Sequence, residues 1–413
     1  MEPNRLGAKE AASLIERGEL SAEALVRSCL DRIKQRDPQV RAWAWLDPAQ
    51  AIANAKMAKG PLFGVPVGVK DIFDTYDMPT EHGSPIYAGH RPPADSAPVA
   101  LTRRAGGTIL GKTVTCEFAT MVPSKTRNPH DLSRTPGGSS SGSAAAVADF
   151  MVPLSFGTQT AGSIIRPASF CGVVAYKPTY NLLPRAGVKE GAGSFDTVGV
   201  FGRSVADVAF FARALTAIQA LETRIEKPRI AMCRTHQWDL VQPEMAAAFE
   251  RVAKILGAGE IKLPEAFKPL RQVHTSILWY EMAHGMADEY TRFEDKMDPM
   301  LRERCRNGYE MDPMQYLAAR QAAADCRAML NEVFKDYDVL LAPAATGEAP
   351  SGLASTGNVS MNVVWTLLHT PCVTVPVGTG PNNMPLGLQA IGRICDDGRT
   401  LACADWIARK LAD

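Results

Sequence analysis

The chain has 413 residues and a formal net charge of +1, with 46% hydrophobic and 22% charged residues. That length exceeds one small core and fits one large or two modest domains, while the balanced charge leaves no basic face for nucleic acid and the composition excludes disorder. No stretch approaches about 18 uncharged apolar residues, so no membrane span is expected, and the charged start "MEPNRLGAKEAASLIERGEL" reads as a surface helix rather than a secretory signal.

Residues 5–59 read as helical, with Ser21 as cap of "SAEALVRSCLDRIKQRD" and Leu25, Cys29, Leu30 and Ile33 as its apolar stripe. From residue 60 the texture changes. "VPVGV", "GTILG", "MVPLSFG" and "GVVAYKP" read as strands; "DSAPVALTRRAG" and the alanine run Ala144–Ala148 read as helices. Strands alternating with helices indicate an α/β sheet with helices on its faces. Residues 216–335 carry long helical periodicity, as in "PEMAAAFERVAKILGAG" and "PMQYLAARQAAADCRAMLNEVFKDY". "DVLLAP" and "PCVTVPVG" then return to strands, and "GRTLACADWIARKLAD" closes the chain as a helix. The expected organisation is an N-terminal helical segment (1–59), an α/β core (60–215), a helical insertion (216–335), and a C-terminal part (336–413) that completes the core. The nine cysteines are scattered and form no C-x-x-C, which suits reduced, mostly buried thiols in a cytoplasmic protein.

Two motifs match in spelling but not in context. "GGTILGKT" (106–113) fits G-x-x-x-x-G-K-[ST], yet a helix precedes it and β-branched "TVTCEF" follows, the reverse of a phosphate loop. "GSSSG" (138–142) fits a nucleophile elbow centred on Ser140, but no apolar strand runs into it. Of the downstream histidines, His236, His274 and His284 fall in the helical insertion, and His369 lies in "LLHTPC". His82, His90 and His130 lack metal-ligand spacing, and no metal is expected.

Three stretches carry chemistry. Lys70 ends the apolar run "VPVGVK". Drawn inward, it loses charge and becomes a base near neutral pH; drawn outward, it pairs with Asp71 or Asp74. "TPGGSSSGSAAA" (135–146) has the composition of a linker, and equally of a site where hydroxyls do chemistry. Ser163 follows the tight turn "TQTAG" before "IIRPA", where backbone N–H groups form an anion nest and a serine can attack a carbonyl, or simply cap the helix.

Together with the tail "DVLLAPAA…PCVTVPVG…MPLGLQAIG", these stretches resemble the amidase signature family from about residue 20 to 410. The resemblance implies a mixed central sheet covered by helices on both faces. It implies Lys70 as base, Ser139 as a bridging serine held by a cis peptide, and Ser163 as nucleophile. The backbone N–H groups of Thr160, Ala161, Gly162 and Ser163 would form the oxyanion hole, with no cofactor. Ser141 and Ser143 would cap the alanine helix or support the relay.

"AGSIIRPA" departs from the family's Gly-Gly-Ser-Ile-Arg, with Ala161 for the first glycine and Arg166 three residues after Ser163. That placement is similar to the malonamidase branch, where the arginine holds a malonate-like carboxylate; the alternative is a structural tie at the helix start. The expected reaction is hydrolysis of a small half-amide to carboxylate and ammonia. Alternatives are an amidotransferase-type subunit releasing ammonia from glutamine for a partner, and a non-catalytic binding protein. Tyr280, His284 and Trp365 are candidate pocket-wall residues against a reading as packing. Expected partners are a small amide, with no nucleic acid or membrane and a homodimer left open.

Overall fold

The computed structural model describes residues 2–216, 223 and 225–412; residues 217–222 and 224, at the start of the 216–335 stretch, lie outside them. In chain order the described strands are β1 (Trp43–Leu46), β2 (Pro66–Lys70), β3 (Thr108–Thr113), β4 (Leu154–Gln159), β5 (Val174–Lys177), β6 (Thr197–Gly202), β7 (Ile230–Cys233), β8 (Gly259–Ile261), β9 (Val339–Pro343), β10 (Cys372–Thr379) and β11 (Pro385–Ile391). They build one sheet in the order β1-β3-β2-β4-β6-β5-β10-β11-β9-β7-β8. The middle is antiparallel from β4 to β9. Parallel sets flank it: β3-β2-β4 on one side and β9-β7-β8 on the other. The mixed sheet flanked by helices is the expected fold class.

Two differences from the sequence reading concern strands. β1 lies within the segment read as helical, pairing Trp43–Leu46 with β3 at the sheet edge. β7 and β8 lie within 216–335, so that stretch also extends the sheet rather than being helical throughout. All three are strands of three or four residues beside long helices, and so short an apolar run has no readable period. The remainder of the stretch is helical, including Leu270–Gly285, Pro299–Tyr309 and Pro313–Ala328. No described helix is long and apolar enough to cross a membrane. All nine cysteines are free thiols, and only Cys395 is exposed.

Helix starts follow local chemistry. Ser21 Oγ accepts from Ala24 N–H at 3.1 Å, as expected for a cap. Asp47, Asp298 and Asp312 cap three further helices, each with proline in the first turn. One face of the sheet carries the helices Ser141–Ala148 and Ile165–Cys171, packed on each other; Val205–Thr216, Pro243–Leu256 and Asp397–Ala412 form another layer.

The helix Ser141–Ala148 explains its own composition. Residues 141–147 are all buried, and the helix lies across β2, β3 and β4. A Cβ on Gly142 would stand 2.2 Å from the Ala42 carbonyl oxygen and 2.4 Å from the Val114 nitrogen. The small residues are therefore a packing requirement, and the stretch is no linker. Helix propensity alone would make Gly142→Ala stabilising by about 1 kcal/mol. The backbone clash reverses the sign, and we expect a loss of about 1–3 kcal/mol, read as a lower Tm in a thermal melt. An unchanged or raised Tm would contradict this packing account.

Candidate active site

β2 is buried from end to end, and Lys70 is its last residue. Its side chain has no exposure. Nζ donates to Ser139 Oγ at 2.8 Å and to Thr158 Oγ1 at 2.8 Å. Burial pushes the ammonium down to about pKa 7, against smaller opposing effects of Cys116 and Asp196. The inward alternative is thus the one observed. Asp71 pairs instead with Lys112, at 3.0 Å.

Ser139 reaches Lys70 because β2, β3 and β4 run parallel. Lys70 sits at the carboxyl end of β2, Ser139 precedes the helix that follows β3, and Thr158 is near the end of β4. Ligand sites in α/β sheets favour this edge. The Gly138–Ser139 peptide is cis. The Ser139 carbonyl accepts from Cys116 N–H at 3.1 Å, and the Gly138 carbonyl accepts from Arg166 Nη2 at 2.6 Å. The neighbouring serines brace the strands and do not cap the helix. Ser141 Oγ meets Ser124 Oγ (2.7 Å), and Ser143 Oγ meets both Thr113 Oγ1 and the Phe156 carbonyl (2.7 Å each).

After β4 the chain turns sharply at 160–163 and enters the helix Ile165–Cys171. Gln159 organises this turn. Its Oε1 accepts from Ile164 N–H (2.9 Å) and Ile165 N–H (3.0 Å), and its Nε2 donates to Thr366 Oγ1 (2.8 Å). Three successive carbonyls are also held. Thr160 O accepts from His274 Nε2 (2.8 Å), Ala161 O from Thr366 Oγ1 (2.8 Å), and Gly162 O from Arg166 N–H (3.0 Å). In a trans peptide the N–H points opposite to the C=O. Each held carbonyl therefore aims the next N–H, those of Ala161, Gly162 and Ser163, away from its anchor. Among the described residues these three N–H groups have no acceptor. Glycine is required at 162, where a Cβ would stand 2.5 Å from Asn362 Oδ1.

Ser163 is 7% exposed. Among the described residues its hydroxyl makes no hydrogen bond, to Ser139 or to any other group. The structure thus joins Lys70 to Ser139 directly and leaves Ser163 free to turn. Arg166 is fully buried; it donates to the carbonyls of Gly138 and Gly357 (2.8 Å) and to Thr356 Oγ1 (3.2 Å). Burial lowers its pKa to about 10, so it remains a cation. Among the described residues no carboxylate is among its partners, and its Nε–H has no partner.

Other candidates fall outside the site. Ser140 is buried and bonded to Thr158 of β4, which excludes an exposed elbow. Lys112 is buried within β3, donating to Thr80 Oγ1 (2.6 Å) and to the carbonyls of Phe73 and Pro79; no phosphate loop forms. His236, His284 and His369 bond to carbonyls of Pro264, Tyr280 and Ser194. His130 bonds to the Cys171 carbonyl and His82 packs against Tyr87 and His90. Among the described residues no group of His, Cys, Asp or Glu fits a metal ion. Trp365 is part of the main core, and Tyr280 stacks on His284 and Tyr316.

Sequence reasoning did not select Thr158, Gln159, Asp196, His274, Asn362 or Thr366. Asp196 Oδ2 accepts from Gly191 N–H (2.6 Å) and Ala192 N–H (2.9 Å), and burial raises its carboxyl to about pKa 6. Together with Thr158, Thr160 and Lys189 it borders a space of about 10 Å³, room for one water-sized molecule. For His274 a signal existed: it shares an i, i+4, i+7 face with Leu270 and Ile277, all buried.

The pattern of the Amidase family matches residues 24–401. One subunit of the glutamyl-tRNA(Gln) amidotransferase of Acidothermus cellulolyticus is 32% identical, covering 96% of this chain and 92% of that protein. The 2-amino-5-chloromuconic acid deaminase of Comamonas testosteroni is 30% identical over 98% of this chain and 96% of its own. A solved amidase superposes with a TM-score of 0.90 at 28% identity, covering 98% and 99% of the two chains. With this match along nearly its whole length, the chain belongs to the amidase signature family and is a hydrolase of C–N amide bonds.

Proposed function

We propose that this amidase cleaves the amide of a small, acidic half-amide, malonamate-like in size and charge, through an acyl-enzyme on Ser163. The observation that carries the reading is the fully buried Lys70 Nζ–Ser139 Oγ bond of 2.8 Å. A lysine titrating near 7 is half neutral at working pH, where it serves as a base. In the neutral amine the same contact runs in reverse, with Ser139 O–H donating to the Nζ lone pair. Ser139 gives its proton to Lys70 and takes that of Ser163, whose Oγ attacks the amide carbon. The negative charge on the carbonyl oxygen is met by N–H groups of the 160–163 turn. Lys70 returns the proton through Ser139 to the departing nitrogen, and ammonia leaves. Water repeats the route to release the carboxylate.

Arg166 supports the acidic acyl group. A buried guanidinium without an anion is costly, and the Nε–H has no partner. A second reading, in which the chain supplies ammonia to a partner protein, is favoured by the similarity to the amidotransferase component. Ammonia release from small amides by the purified chain alone supports the first; release from glutamine only with a co-purifying partner supports the second.

Ser163→Ala is expected to lower hydrolysis by about 10⁴-fold or more, with an unchanged Tm. Acyl-enzyme trapping followed by mass spectrometry should place the adduct on Ser163; an adduct on Ser140 would defeat the assignment.

The pH profile of kcat/KM should rise about tenfold per unit below about 7 and level off above it, because only neutral Lys70 accepts a proton. Lys70→Ala loses most activity, and Lys70→Arg does not restore it, since arginine stays charged. A flat profile from pH 5 to 9, or an active arginine variant, contradicts the role of Lys70.

For Arg166→Ala the loss in kcat/KM on a malonamate-type acid amide should be about 2–5 kcal/mol, or ~30- to 4,000-fold. A neutral amide of equal size should lose much less. Equal losses on both substrates would make Arg166 a structural tie and withdraw the carboxylate preference.

A further inference from the structure

Helix Leu270–Gly285 belongs to the 216–335 stretch and carries none of the residues that the resemblance marks as functional. It reaches the turn 160–163 through a hydrogen bond. His274 lies one turn into the helix and is 3% exposed. Its ring stacks on Phe195, with centroids 4.6 Å apart and planes 26° apart, which fixes the imidazole plane. Nε2 meets the Thr160 carbonyl at 2.8 Å. A carbonyl only accepts, so Nε2 carries the proton.

We propose that His274 is a positioning residue for amide hydrolysis: by holding the Thr160 carbonyl, it aims the Ala161 N–H at the oxyanion that forms on the substrate. The proposal rests on the acyl-enzyme reading above. The Thr160–Ala161 peptide is the first of the three in the turn. The other two have their own anchors, the Thr366 hydroxyl on Ala161 O and the helix bond from Arg166 N–H on Gly162 O. Only the first depends on a side chain from outside the sheet, its flanking helices and the 360–370 segment. Ala161 also makes this peptide less free than glycine would, so one fixed orientation is stored there.

The imidazole is suited to the task. Burial holds its pKa down to about 4, so it stays neutral across the range in which Lys70 titrates. It therefore adds no positive charge that would disfavour the lysine's protonation.

The test compares His274→Phe and His274→Gln with the wild type on the best amide found in an ammonia-release screen. Phenylalanine keeps the stack on Phe195 and removes the donor; the glutamine amide retains an N–H near the position of Nε2. We expect kcat to fall about 10- to 100-fold in His274→Phe, with KM within about threefold and an unchanged Tm, and to recover at least partly in His274→Gln. The affinity of a boronic acid, which forms a tetrahedral adduct on serine, should fall in parallel with kcat. A purely structural histidine would lower Tm without this kcat-against-KM split. A folded His274→Phe with wild-type kcat overturns the proposal. If His274→Phe does not fold, His274→Gln and His274→Ala decide it: equal kcat overturns the proposal, and a loss confined to alanine supports it. Ser163→Ala separates the two readings. An active Ser163→Ala sinks the acyl-enzyme scheme itself, whereas an inactive Ser163→Ala beside a fully active His274→Phe sinks only the role of His274.

Discussion

A lysine amine with no exposure, held at 2.8 Å by two hydroxyls, is the constraint around which the rest is arranged. Leaving an ammonium in such a place without a carboxylate costs several kcal/mol, and the group answers by shifting its pKa to about 7. That shift requires Lys70 to be walled off on all sides. β2 is therefore central among parallel neighbours β3 and β4. The helix Ser141–Ala148 presses on all three strands. The nearby acids do not overcome this effect of burial, although Asp196 opposes it. Asp71 is occupied by Lys112, and Asp196 is itself raised to about 6 by burial and tied to backbone N–H groups.

The second layer of organisation is close approach. The relay proposed through the serines needs backbone segments nearer to one another than ordinary side chains permit, and small residues stand where the segments touch. Gly142 admits the Ala42 carbonyl and Val114, and Gly162 admits Asn362. Arg166 ties the Gly138 carbonyl to the 356–357 loop, so the Ser139 segment and the helix after Ser163 are held as one unit. The same guanidinium is thus committed to the frame and still carries an uncompensated charge.

The turn 160–163 shows how a site is built from the back. The N–H groups of Ala161, Gly162 and Ser163 have no acceptor among the described residues, while the carbonyls of Thr160, Ala161 and Gly162 are taken by His274, Thr366 and Arg166. The helical stretch beyond residue 216 is thereby connected to the reaction centre through His274. Related ties run from the same helix to the loop beside Asp196, where Glu281 accepts from Ser194 N–H at 2.8 Å. Sequence changes in this outer region would then tune the site without touching the lysine or the serines.

Much of this was legible in the sequence, for identifiable reasons. Alternating Gly-bounded apolar runs and helices gave the α/β class, because strand and helix periods differ. Ser21 was readable as a cap because capping is local. Lys70, Ser139 and Ser163 were singled out through the resemblance of their surrounding motifs to a family, while the residues alone left each with two readings. Burial settled the reading of Lys70, and burial is a property of the whole packed chain rather than of "VPVGVK". The short strands β1, β7 and β8 were missed because three or four residues have no measurable period, and their strand character comes from the sheet edge that receives them. His274 and Thr366, which hold the turn, and Asn362, which packs against Gly162, lie more than 100 residues from it, so no local spacing could link them to it. Sequence determined which residue types were available and which segments would turn, cap or pack. Tertiary structure decided which carbonyls were occupied, which N–H groups stayed free, and which lysine was buried with its pKa pushed down, because desolvation and hydrogen-bond satisfaction depend on neighbours in space.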